Sequence, residues 1–85
     1  MNTHKYHSER SEIIHKVVGH NFKTLRTFRK ISIAEIARTT IISQYKLRKL
    51  EEGTLRITPS VLLAICDYFG LTIECMIYQD LARLQ

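Results

Sequence analysis

Residues 43–52 read Ser-Gln-Tyr-Lys-Leu-Arg-Lys-Leu-Glu-Glu, a stretch in which Leu47 and Leu50 are the only aliphatic side chains. An amide, a phenol, two ammonium groups and a guanidinium are crowded into residues 44–49. These are hydrogen-bonding groups suited to a polar or anionic partner, and the two leucines leave only a narrow seam for a protein core. The other reactive residue types form no comparable constellation. Of the four histidines (His4, His7, His15, His20), His4 and His7 stand three apart and could share a helical face, but no Asp, Cys or further His completes an evident set. No metal is therefore expected. Cys66 and Cys75 lie nine residues apart inside segments that read as helix, and they are expected to be small hydrophobes rather than a disulfide framework. Ser32 and Ser43 are taken up as helix caps, no glycine-rich phosphate loop exists, and no carboxylate pair sits in a recognisable pocket. The expectation is a protein that is not an enzyme, with no cofactor and no small-molecule substrate.

The elements that must position residues 43–52 follow from apolar spacing and caps. A first helix is expected over 11–29, where Ile14, Val18, Phe22 and Leu25 recur at spacings of four, four and three. Gly19 is a point where that helix could break, because glycine costs about 1 kcal/mol relative to alanine in a helix interior. Ser32-Ile33-Ala34-Glu35 has the form of a capping box, in which the serine hydroxyl and the glutamate carboxylate each satisfy a backbone N–H. Ile33, Ile36, Ala37 and Thr40 then make an inward face. After a short connection at 40–42, Ser43 caps a third helix that runs to Glu52 and stops at Gly53. Thr58-Pro59 opens a fourth helix, with Leu62, Ile65, Cys66 and Phe69 on its apolar face and Gly70 at its end. Thr72 caps a fifth, with Ile73, Ile77, Leu81 and Leu84 along one side. There is no strand pattern, repeat or linker. The expected fold is all-α: a polar N-terminal tail at 1–10 and a single five-helix domain at 11–85.

Two short helices joined by a turn of three or four residues, the second nearly bare of aliphatics, meet the physical specification of a helix-turn-helix. The major groove of B-DNA, about 12 Å wide, admits one helix, so a helix that must lie there cannot be surrounded by protein. At this point the chain resembles the phage lambda-repressor-like (Cro/cI-type) helix-turn-helix proteins over residues 18–77. The resemblance is carried by Phe22-x-x-Leu25-Arg26, Ser32-x-x-x-Ile36-Ala37, Ile42-Ser43, Leu47-x-x-Leu50-Glu51-x-Gly53, Leu62-x-x-Ile65 and Phe69-Gly70-Leu71. Each piece alone is weak; the ordered set at these spacings is specific.

The resemblance implies roles. Ala37 is the small residue that lets the two motif helices approach, and Arg26 with Glu51 matches an internal salt bridge between the first and third helices. Gln44, Tyr45 and Lys49 fall at the positions that face base edges. Their chemistry suits adenine N6/N7, a phosphate or thymine methyl, and guanine O6/N7 respectively. Ser43, Lys46, Arg48 and Arg56 are then expected on the DNA backbone, setting register without reading sequence. Two positions depart from the family pattern. Ile33 stands where many members carry a glutamine that contacts phosphate, and Ile41 occupies a turn position usually held by glycine. A β-branched residue suits positive φ poorly, so either the turn takes another conformation or its backbone is strained.

Composition agrees with a nucleic-acid partner. Thirteen Lys plus Arg oppose eight Asp plus Glu, for a net charge of +5. No apolar run approaches the roughly 20 residues needed to cross a bilayer, and the first ten residues are polar, so a cytoplasmic, nucleoid-associated protein without a membrane partner is expected. The expected partner is double-stranded DNA, bound as a homodimer through Ile73, Ile77, Leu81 and Leu84, with a role as a transcriptional repressor. The alternative is a protein-interaction module on the same fold, antitoxin-like or polymerase-binding, for which Ile33 and Ile41 speak.

Overall fold

The structure, a computed structural model, describes the backbone of residues 3–78 and the side chains of residues 13–78. Its five helices are α1 (Thr3–Phe28), α2 (Ile33–Thr39), α3 (Gln44–Glu52), α4 (Pro59–Phe69) and α5 (Ile73–Tyr78), and no strand occurs among the described residues. The all-α expectation holds. α1 begins at Thr3, ahead of the expected residue 11, and runs through Gly19 without a break.

Local chemistry sets the element starts and stops. The hydroxyls of Ser32, Ser43, Thr58 and Thr72 each accept a backbone N–H three residues on, from Glu35, Lys46, Val61 and Cys75. Only the serine half of the expected capping box forms, because the Glu35 carboxylate pairs instead with Arg38 one turn further along α2. Gly53 (φ 77°) and Gly70 (φ 68°) end α3 and α4 in the left-handed region.

The core draws on every helix. Val18, Phe22 and Leu25 of α1 meet Ile36, Ile42, Leu47 and Leu50 of the α2–turn–α3 unit, Val61, Ile65, Cys66 and Phe69 of α4, and Met76 of α5. Phe22 and Phe69 pack edge to face with centroids 5.9 Å apart. Both cysteines are thiols, Cys66 buried and Cys75 half-buried, and burial pushes the Cys66 thiol pKa up. Among the described residues one polar side chain is fully enclosed: Asn21, whose amide donates to the Met76 carbonyl at 2.7 Å and ties α5 to α1.

Besides the shared core, a backbone contact and an ion pair hold α3 to α1. At Gly19 the two backbones meet directly, and a Cβ there would lie 2.0 Å from the Leu50 carbonyl oxygen. Arg26 donates through Nε and Nη2 (3.1 Å) to the two carboxylate oxygens of Glu51, and through Nη1 to the Ile31 carbonyl at 3.0 Å. The hydrogen bond to Glu51 raises the Arg26 pKa above its ordinary value, against the opposing effect of burial. Beyond α3, the loop at 54–58 is tied down where His15 Nδ1 accepts the Ile57 N–H at 3.2 Å.

Two outcomes follow. Gly19→Ala would gain about 1 kcal/mol by helix propensity alone. The clash with Leu50 outweighs it, and a net loss of about 2 kcal/mol is expected in denaturant unfolding. A midpoint at or above wild type would show that α1 and α3 can part freely. For the ion pair, Arg26→Met and Glu51→Gln each lower stability by about 3 kcal/mol, since the partner's charge is left mostly buried, while the double replacement loses less than the sum. Additive losses in the cycle would mean that the pair contributes no coupling.

Candidate nucleic-acid interface

α2 and α3 are joined by residues 40–43. Thr40 closes α2, its N–H and hydroxyl both donating to the Ile36 carbonyl (3.0 and 2.8 Å), and its Oγ1 then accepts the Ile42 N–H at 3.3 Å. Ile42 turns into the core, whereas Ile41 is 87% exposed. Ile41 does not have positive φ; among the described non-glycine residues only Lys30 does. The turn therefore takes a conformation that a β-branched residue tolerates, and the strained alternative falls away.

α3 presents itself as a helix with one buried edge. Leu47 and Leu50 are fully enclosed, and Gln44, Tyr45, Lys46 and Arg48 are exposed. The exposed groups are not scattered. Arg48 Nη2 donates to Gln44 Oε1 at 3.1 Å, one turn apart on the same side of the helix. Lys49 is half-buried, its Nζ 5.6 Å from the Tyr45 ring centroid and 3.4 Å from a Glu52 carboxylate oxygen. Glu51 faces inward to Arg26, so the two acids of α3 are both engaged by cations. Lys46, Arg48 and Arg56 take part in no ion pair among the described residues, which leaves positive charge unbalanced along α3 and the loop after it. Ser43, at the N-cap, is exposed beside them.

The structure thus brings Ser43, Gln44, Tyr45, Lys46 and Arg48 to one exposed helix and sets Lys49 against Tyr45, with Arg56 exposed in the following loop. Ile33 is half-buried and packs on the core, as the inward face expected of α2 requires. The residues assigned to pairing separate. Ile73 is exposed, Ile77 packs against the core of its own chain, and Leu81 and Leu84 lie outside the described residues. Ile73 shares an open apolar groove with Ile14, Ile57, Leu62 and Leu63.

Residue spacing carries signals for further features of the structure. Asn21 stands three after Val18 and four before Leu25, on the apolar stripe of α1. Gln44–Arg48 and Tyr45–Lys49 are both four apart, the separation at which helical side chains meet. Nothing in the spacing marks Gly19 as a contact rather than a break. Among the described residues no group of three or more His, Cys, Asp or Glu could hold a metal ion, and no helix is long and apolar enough to cross a membrane.

A sequence profile described as a helix-turn-helix domain matches residues 19–80. No curated protein and no solved structure matches the chain. The matched span takes in the Gly19 contact, the α2–turn–α3 unit and the helices that support it. The chain belongs to the helix-turn-helix domain family.

Proposed function

We propose that the protein is a sequence-specific regulator of transcription, a repressor of the Cro/cI type, that binds a pseudo-palindromic operator in double-stranded DNA as a homodimer. The observation that carries the reading is α3 itself. It gives only Leu47 and Leu50 to the core and shows solvent a polar face whose exposed cations have no acidic partner among the described residues. In this reading α3 lies in the major groove with Gln44 and Tyr45 at its leading end, the part of a recognition helix that meets base edges. Ser43, Lys46 and Arg56 hold phosphates on either side. A single module of this size buries roughly 600–1,000 Å² on DNA, which favours two copies on half-sites about one helical turn apart.

A second reading, recognition of a protein through the same fold, is favoured by one observation: Ile41, in the turn that precedes α3, is 87% exposed. Selection of duplexes from a random pool separates the two. The DNA reading expects an enriched palindrome; a wild-type chain with no salt-sensitive duplex binding belongs to the second reading.

Phosphate contacts release counterions, so log K falls linearly with log salt by about 0.9 per phosphate neutralised. Lys46→Ala and Arg56→Ala are each expected to weaken binding alike on selected and random duplex, and to flatten the salt slope by about one. Titrations at four salt concentrations measure this, and an unaltered slope would remove that residue from the backbone contacts. Ile73→Glu, at an exposed position, is expected to leave the helical fold intact, sediment as a monomer and lose operator affinity. Sedimentation of the wild type as a monomer at high concentration would end the dimer reading.

A further inference from the structure

We propose that Gln44 and Arg48 act as one paired reader of two neighbouring base pairs, Arg48 selecting guanine, and that Lys49 is a brace for Tyr45 rather than a base reader. The inference rests on the DNA-binding reading and makes it specific. Four residues apart on an ideal helix, Gln44 and Arg48 diverge by only about 40°, and the Arg48 Nη2 to Gln44 Oε1 hydrogen bond at 3.1 Å joins them on the solvent side of α3. Lys49 is a further 100° or so around. Its ammonium is held over the Tyr45 ring and by Glu52, on a half-buried side chain.

The pairing fixes what the two side chains can recognise. A guanidinium has no acceptor, so the amide of Gln44 must turn its oxygen towards Arg48 and its NH₂ outward. The combined outer edge is then dominated by donors, the remaining N–H groups of Arg48 and both N–H groups of Gln44, with Oε1 turned towards Arg48. Donors in the major groove meet guanine O6 and N7, or thymine O4, and are opposed by the amino groups of cytosine and adenine. Arg48, with two parallel donors in a planar fork, suits guanine; Gln44 then reads an acceptor on the adjoining pair. A Gln44 acting alone could use its oxygen and nitrogen together on adenine, and the hydrogen bond to Arg48 draws it away from that mode. Arg48, whose charge alone would suit phosphate, becomes a specificity-determining residue because its neighbour orients it before DNA arrives.

The test uses the full chain, its selected duplex, the set of single-base substitutions of that duplex, and a random duplex. Arg48→Ala is expected to lose about 10- to 100-fold on the selected site, less than about threefold on random DNA, and to flatten preference at one guanine-containing pair. Gln44→Ala should flatten the adjoining pair, where guanine or thymine and not adenine is preferred, and partly relax the Arg48 pair. The double variant should lose less than the product of the two on the selected site, and the product on random DNA. Lys49→Ala should lower affinity while leaving the preferences at the two pairs read by Gln44 and Arg48 unchanged. An even loss for Arg48→Ala on every sequence, or flattening by Lys49→Ala at either of the two pairs assigned to Gln44 and Arg48, would overturn the paired reader while leaving DNA binding intact. A wild type without salt-sensitive duplex binding would instead overturn the DNA reading and this inference together.

Discussion

Where α1 crosses α3, a hydrogen atom stands in the place of a side chain. The backbone of α1 at Gly19 comes so near the Leu50 carbonyl that any carbon there would have to displace it, and with it the whole of α3. This approach draws Leu47 and Leu50 fully into the core although the helix has no other aliphatic residue to bury. It also brings Glu51 within reach of Arg26. A helix polar over most of its circumference has little apolar surface to bury, so its two leucines are joined by a backbone contact and a charge-assisted pair in setting its place.

The arrangement divides the charged residues of α3 into two sets. Glu51 and Lys49 are engaged within the protein, one with Arg26 and the other with Tyr45 and Glu52. Lys46 and Arg48 lie outside such pairs. Internal pairs consume the acidic side chains that would otherwise neutralise the exposed cations. The electrostatic asymmetry of the helix is thus a by-product of the way it is fastened, and a net charge of +5 is given a direction.

Much of the fold was legible in the chain because its determinants are local. Ser32, Ser43, Thr58 and Thr72 announce helix starts within three residues of the N–H groups they accept, and Gly53 and Gly70 announce the ends. What was not legible depends on pairs far apart in sequence. Asn21 and Met76 are separated by 55 positions, and Gly19 meets Leu50 across a helix crossing that no periodicity reports. For Gly19, propensity even pointed the wrong way, towards a break, because intrinsic helix preference cannot register a neighbouring backbone. Within the candidate interface, helical spacing showed which side chains share a face. It could not show that Lys49 would lie back over Tyr45, since that depends on long, rotatable side chains choosing among neighbours.

The fastening of α5 bears on how the domain comes apart. Six described residues are too few to persist as an isolated helix in water, so α5 exists by virtue of what it docks against. Its contribution to the centre is Met76, whose side chain is buried in the core and whose carbonyl receives the enclosed amide of Asn21. Detaching α5 would take away both the buried Met76 side chain and one hydrogen-bond partner of Asn21 in the longest helix. Opening of the last helix is thereby coupled to loosening of the first at mid-length, and slow amide exchange in α5 would report the cooperativity of the whole domain rather than the strength of a short terminal element.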